Sequence, residues 1–375
     1  MNTKIGLAAM LCMIGGLAVY RLEETQLRAR VCFVTVLSVL AYAVCVKLIP
    51  IVKELCLKRG LCGRDINKNG TTPIPEALGI VPATLYLVVT VMFQPFFEHT
   101  SMGQYNAALT STCFMVFLGF VDDVFDLRWS VKITSSFLAT LPLLVAYTGS
   151  TYIAIPSPLV PFFGGLAAVD LGILYHVYMC FMGVFCTNSI NIFAGVNGLE
   201  AGQSFVIAVA VLIHNIIELG GIEHEAHMLS FCLILPFSAC TLGLLYYNWY
   251  PSQVFVGDTF TYFAGMTLAV SGILGHFTKT LMLFFLPQII NFVLSVPQLF
   301  NTRWLPCPRH RLPRYDPATG LLHAIPTNWT LINLFLFIFG PMPESRVTKC
   351  LLIFQTLCCL FAFFVRYYVA SFFYV

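Results

Sequence analysis

The sequence predicts an all-α polytopic membrane protein of about ten transmembrane helices, with a cytosol-facing active site made of loops. Three observations carry this. Of 375 residues, 58% are hydrophobic and only 10% charged, whereas a soluble domain carries about 25% charged residues and needs them to wet its surface. The apolar residues gather into runs near the length of about 20 that crosses a bilayer. Between the runs, polar segments punctuated by glycine and proline recur after every second span, which gathers them on one face.

Taken in order, Lys4 followed by the apolar stretch Ile5 to Tyr20 has the form of a signal sequence or of an uncleaved extra helix, and residues 1–30 form a luminal lead-in in the first case. Residues 31–375 then make a single transmembrane catalytic domain. Its candidate spans are 31–51, 77–97, 106–121, 133–148, 169–187, 203–219, 229–247, 258–275, 279–300 and 350–372. The run 106–121 is short, so its helix extends into the flanking polar residues. The run 279–300 contains Pro287 and Pro297, tolerable as kinks where packing satisfies the freed carbonyls. Residues 331–340 are apolar but too short to span, which predicts an interfacial or packed helix.

Charge sets the orientation. Residues 51–70 hold Lys53, Lys58, Arg59, Arg64 and Lys68 against Glu54 and Asp65, and residues 301–315 hold Arg303, Arg309, Arg311 and Arg314 with no acid. Alternating spans put both segments on one face, with the loops Asp122 to Lys132, Asn188 to Gln203 and Tyr246 to Asp258. Glu218, Glu223 and Glu225 fall on the other. The excess of lysine and arginine marks the first face as cytosolic.

Each loop carries a constellation with two readings. In "FVDDVFDLRWSVK", a continued helix would put Asp122 and Asp126, and also Asp123 and Asp126, on shared faces. Such acids can recruit a divalent cation or hold a proton, or form a solvated helix end balanced by Arg128 and Lys132. In "CTNSINIFAGVNGLEAGQ", Asn188, Asn191 and Asn197 offer amides while Gly195, Gly198 and Gly202 permit close backbone approach; a base could lie there, or the loop could simply join two helices. Asp258 in "YNWYPSQVFVGDTFTYFAG" is either the N-cap of the next helix or a metal ligand. Phe255 offers an aromatic face or packing. In "CPRHRLPR", Arg309, His310, Arg311 and Arg314 are framed by prolines and suit phosphate oxygens or lipid headgroups.

Other signals are set aside. "HEAH" at 224–227 is not a zinc pattern, and Cys307 with His310 lacks the remaining ligands. His176, His214 and His276 read as core or interface residues. "NWT" at 328–330 is a glycosylation sequon made inert by a cytosolic placement. Fourteen cysteines, among them Cys32, Cys113, Cys232 and Cys358, mostly sit within or against apolar runs and read as small buried hydrophobes. Neither a Walker nor a dinucleotide fingerprint occurs, and the scattered basic residues form no nucleic-acid footprint. Carboxylates, arginines and an amide–glycine loop together fit a metal-bound pyrophosphate, and the apolar bulk points to a lipid as the second substrate. A nucleotide-sugar or lipid transporter is the rival of another class, and it would line a path between both faces.

Four stretches, "FLGFVDDVFDLRW", "VFCTNSINIFAGVNGLEAGQ", "YYNWYPSQVFVGDTF" and "PCPRHRLPR", resemble in order those of the polyprenyl-phosphate sugar-1-phosphate transferases, specifically the eukaryotic branch that uses UDP-N-acetylglucosamine and dolichyl phosphate. The likeness runs from about Leu61 to Arg314 and resumes in the last helix. It implies ten spans in the endoplasmic reticulum membrane, a cytosolic site, Mg2+ dependence, sensitivity to tunicamycin, and transfer of N-acetylglucosamine 1-phosphate with release of UMP; a homodimer is left open. A different sugar or acceptor is the alternative within the family. By resemblance, Asn191 and Asp258 are metal ligands, and Lys132, Arg309, His310 and Arg311 contact the phosphates or sit beside them. Ile66, Glu76, Gly195, Asn197 and Phe255 face the nucleotide. Asp122 and Asp123 match the carboxylate pair and are read as organisers, Asp123 accepting a proton only from a monoprotonated acceptor phosphate. Arg64 stands where animal members tend to have glutamine, and the polar segment after Arg314 is shorter than theirs.

Overall fold

The computed structural model describes residues 2–68, 72–96, 99–300, 307 and 311–374. Helices dominate because a chain in lipid must satisfy its backbone hydrogen bonds within each segment. Helices α1 (Asn2–Arg21) and α2 (Thr25–Lys58) pack together at the N-terminus. A two-residue antiparallel pair, β1 (Cys62–Gly63) and β2 (Ile74–Pro75), leads to α3 (Ile80–Phe93). Then come α4 (His99–Phe125) and α5 (Trp129–Ala146), followed by a hairpin of β3 (Tyr152–Ala154) and β4 (Ala168–Asp170). Four helices follow: α6 (Ile173–Ile192), α7 (Leu199–Glu218), α8 (His224–Asn248) and α9 (Gly257–Leu274). Helices α10 (Thr278–Phe284) and α11 (Leu286–Leu299) meet at 68°. A second hairpin, β5 (Arg314–Asp316) with β6 (Leu321–His323), precedes α12 (Leu331–Phe339). The chain closes with α13 (Glu344–Phe364), a π-helical turn (Val365–Val369) and α14 (Ala370–Phe373).

Every sequence-predicted span corresponds to a helix or, for 279–300, to the bent pair α10–α11, with Pro287 in the first turn of α11. Among the described residues, however, eight helices are long and apolar enough to cross a membrane, or nine if the bent pair is one span. Helix α1 is among the eight, whereas α3 is shorter and α9 is not included. The reason for α9 is its position: every residue from Thr259 to Leu274 is buried, so the helix has protein rather than lipid around it and can carry threonine, serine and glycine. The run 106–121 does extend in both directions, as α4. Residues 331–339 form a packed surface helix capped by Thr330, with Leu331, Ile332 and Leu336 inward and Phe337 and Ile338 exposed. All fourteen cysteines are free; Cys232 and Cys358 are buried as expected, but Cys32 and Cys113 are exposed on helix flanks.

Glycines set the closest helix approaches. A Cβ on Gly119 of α4 would lie 2.6 Å from Thr259 Cα of α9, and one on Gly265 would lie 2.4 Å from the Thr187 Cα of α6. Small residues of this kind let membrane helices pack backbone to backbone. Gly119→Ala should therefore force α4 off α9 and destabilise the fold by about 1–3 kcal/mol. A lowered melting temperature in detergent, with reduced turnover, is the expected reading; an unchanged one would refute the close contact.

Contacts sort the helix ends into two groups. At one end, Arg30 near the start of α2 pairs with Glu225 of α8 at 3.4 Å, His276 after α9 approaches Glu223 at 3.2 Å, and Arg366 after α13 pairs with Glu218 of α7 at 3.7 Å. The three glutamates predicted to share a face do so, and His276 and His214, read from sequence as core or interface residues, have partners: Glu223 for the first, and for the second the Tyr367 hydroxyl, 2.7 Å from His214 Nδ1. The other end collects the loops after α2, α4, α6 and α8, together with the start of α13.

Candidate active site

The site is built around the first turn of α9. Phe255 N–H donates to Pro75 O at 2.8 Å and Gly79 N–H to Val256 O at 2.9 Å, so the loop before α9 is zipped to the segment before α3. Val256, at the N-cap position, offers no side-chain bond. The cap comes from another helix: Asp123, near the end of α4, accepts from Asp258 N–H (2.6 Å), Thr259 N–H (3.0 Å) and the Thr259 hydroxyl (2.5 Å). Asp258 is thus not the cap, as one sequence reading had it, but a helical residue held by a cap. Gly257, at φ 72°, allows this, since a Cβ there would meet the Asp123 carboxylate at 2.5 Å.

Asp122 is buried and fully engaged. Its Oδ1 accepts from Leu127 N–H at 2.9 Å and its Oδ2 from the Tyr262 hydroxyl at 3.0 Å. The Lys132 ammonium, from α5, lies 2.9 Å from Asp122 and 3.3 Å from Asp258. Asn191, at the end of α6, donates to Asp258 Oδ1 at 2.7 Å. Asp126 takes no part: the helix ends at Phe125, Asp126 adopts φ 49° and its side chain is exposed, so the expected third carboxylate turns away.

Three cavities meet at Asn191. The first is lined by Ile66, Asn191, Gly195, Asn197, Phe255 and Asp258, which brings six of the sequence-predicted residues into one wall. The second is lined by Gly195, Arg311 and Leu312, and the third by Trp129, Lys132, Tyr262 and Leu299. Gly195, at φ 113°, passes so close to the arginine segment that a Cβ would lie 2.2 Å from Leu312 Cδ2. Its carbonyl accepts from the Asn67 side chain at 2.8 Å. Glu76 stands behind this wall against Gly63; burial, and then the charge of Asp123, push its carboxyl above the usual range. Arg309 and His310 lie outside the described residues.

Asn197 is the knot of the cavity floor. Its Oδ1 accepts from Ser252 N–H (2.9 Å) and Lys68 (2.5 Å), and its Nδ2 donates to Asp65 at 3.1 Å. Lys68 also pairs with Asp65 and, at 3.5 Å, with Glu344, whose Oε1 accepts from Asn197 N–H at 2.6 Å. The segment after α2 that holds Asp65 and Lys68 is therefore tied to the α6–α7 loop, the α8–α9 loop and α13. Sequence reasoning assigned no role to Asp65, Lys68, Glu344 or Tyr262. For Tyr262 a signal existed, because it lies four residues after Asp258 on the same helix face. Glu344 is 147 residues from Asn197 and gave none.

The Asp258 carboxylate and the Asn191 amide suit a hard cation that binds oxygen and keeps its remaining positions for water and phosphate, while Asp122 has both oxygens engaged. Among the described residues no group of three or more His, Cys, Asp or Glu could hold a metal ion. The Lys132 ammonium between Asp122 and Asp258 shows that this spot already attracts positive charge, so the residues fit such an ion.

The sequence profile described as Glycosyl transferase family 4 matches residues 105–276, the stretch from α4 to just past α9. The matched stretch carries the site, and with the helical fold it points to a glycosyl transferase set in a membrane. The UDP-N-acetylglucosamine–dolichyl-phosphate N-acetylglucosaminephosphotransferase of Dictyostelium discoideum is 50% identical over 352 residues, covering 86% of this chain and 85% of its own length. Those of Schizosaccharomyces pombe (40%, covering 89% and 91%) and Saccharomyces cerevisiae (38%, covering 81% and 84%) are similarly complete matches. The chain belongs to this family of N-acetylglucosaminephosphotransferases. The buried Asn328 of the "NWT" sequon, meanwhile, donates to Arg311 O at 2.6 Å and serves the site's framework.

Proposed function

We propose that the protein transfers N-acetylglucosamine 1-phosphate from UDP-N-acetylglucosamine to dolichyl phosphate, forming dolichyl-diphosphate-N-acetylglucosamine and UMP, at the cytosolic face of the endoplasmic reticulum membrane. The observation that carries this is the meeting of three cavities at Asn191, beside a carboxylate–lysine cluster at the end of a membrane bundle. One cavity suits the uridine, with Phe255, Gly195 and Ile66 as its surface and Glu76 toward the ribose. Arg311, with Arg309 and His310, takes the diphosphate. The cavity between Trp129, Lys132 and Leu299 admits the acceptor phosphate from the bilayer side. The positive-inside bias of residues 51–70 supports a cytosolic orientation, and residues 31–375 act as one catalytic domain.

An oxygen of dolichyl phosphate attacks the β-phosphorus, and the bond to the UMP oxygen breaks. That nucleophile is already anionic, so no strong base is required. Asp123 has both oxygens engaged by α9 and serves to hold Asp258 in place. Lys132 can turn from Asp122 and Asp258 toward phosphate, offsetting charge where it grows. Asp258 and Asn191 would hold Mg2+, which when bound screens the diphosphate oxygens and acts as a Lewis acid.

Purified protein given UDP-N-acetylglucosamine, dolichyl phosphate and Mg2+ should release UMP and form a lipid of the expected mass, needing all three and stopping with tunicamycin. A product carrying another sugar would move the assignment within the family. Movement of the nucleotide sugar across vesicles without UMP would replace transferase with transporter.

A further inference from the structure

We propose that the bundle carries a second ligand site, at the end remote from Asp258, which takes a phosphate-bearing anion. Helix α9 separates the two: its 18 residues run about 27 Å from Asp258 to the turn before α10. There a cavity is lined by Glu218, Lys279, Thr280, Arg366, Ser371 and Tyr374.

The charges in this cavity are not balanced. Glu218 is the one carboxylate among the described residues that line it; it lies 3.7 Å from Arg366 and accepts from the Tyr367 hydroxyl at 3.0 Å. Lys279 has no carboxylate partner among the described residues, and its ammonium rests 5.9 Å from the centroid of the Tyr374 ring. Among the described residues two cations thus share a cavity with one acid, alongside four hydroxyl side chains, of which Tyr367 and Ser371 already donate to Glu218 and to Tyr368 O while Thr280 and Tyr374 complete the lining. A guanidinium, an ammonium and hydroxyl donors together match the oxygens of a phosphate group. The π-helical turn Val365–Val369 places Arg366 here, and wide turns of this kind recur at functional sites.

The surroundings set the level in the membrane. Tyr367, Tyr368 and Tyr374 are exposed on and just after the last helices, and the β3–β4 loop is fastened beside them by the Ser157 hydroxyl donating to Phe373 O at 2.9 Å. Tyrosines gather at the headgroup level of a bilayer. The phosphate can therefore come from a phospholipid of that leaflet or from a solute, and the chemistry of recognition is the same.

Arg366 is tied to Glu218, so the test is placed on Lys279. Binding of dioctanoyl phosphatidic acid and of inorganic phosphate to the detergent-purified full chain is measured by calorimetry and thermal shift. Lys279→Gln should weaken binding about tenfold, Lys279→Arg should retain it, and UMP release should stay within about twofold of the parent, because no site residue is touched. Tight binding of the lipid alone assigns the site to a headgroup; equal binding of inorganic phosphate assigns it to a solute. Absence of binding by both probes, or a Lys279→Gln variant that binds like Lys279→Arg, overturns the proposal.

Discussion

Asp258→Asn is expected to leave abundance and melting temperature near those of the parent while cutting UMP release by about a hundred- to a thousandfold, the cost typical of removing one charge-stabilising group from an active site. The structure makes Asp258 the point where Lys132, Asn191 and the Asp123-capped helix meet. An asparagine keeps the shape, and its backbone N–H still donates to Asp123, so the fold loses little. What is lost is the negative charge facing Lys132 and any bound cation. Raising Mg2+ should not restore turnover. Parent-like turnover at saturating Mg2+ would remove Asp258 from the site.

Asp123→Ala should fail differently. It deletes three acceptor contacts to the first turn of α9 and leaves two backbone N–H groups without their partner. Loss of an N-cap costs about 0.5–2 kcal/mol. Melting temperature should fall, and turnover should fall about a hundredfold because Asp258 is no longer held, with the KM for UDP-N-acetylglucosamine changing less than kcat. A variant that loses turnover at unchanged melting temperature would instead assign Asp123 a direct part in the chemistry. The two variants thus separate a group that faces the phosphates from one that positions it.

The span pattern was legible because lipid imposes long apolar runs, and the convergence of polar loops followed from counting those runs. Asn191, Gly195, Asn197, Phe255 and Asp258 stood out by the chemistry of their loops, the resemblance gave them roles and added Ile66, and all six line one cavity. Spacing alone misread two features. It continued the α4 helix to Asp126, whereas the chain breaks at Phe125 with a left-handed residue after it. It also considered a cap only from α9's own sequence, and no local rule finds a cap supplied 135 positions earlier. The knot around Asn197 was hidden for the same reason: Asp65, Lys68 and Glu344 are ordinary surface residues until folding brings four loops together. Helix α9 was predicted as the span 258–275, but that protein surrounds it on all sides from Thr259 to Leu274 was not legible in its sequence.

That buried helix also constrains how the protein is made. With Asp258 at one end and threonines along its length, α9 has weak affinity for oil by itself and gains its place only against α4 and α6, through Gly119 and Gly265. Its seat is therefore cooperative: α4 and α6 must be in place for the helix to be buried between them. The carboxylate of Asp258 reaches its depth beside Lys132 and Asn191 as a by-product of that assembly.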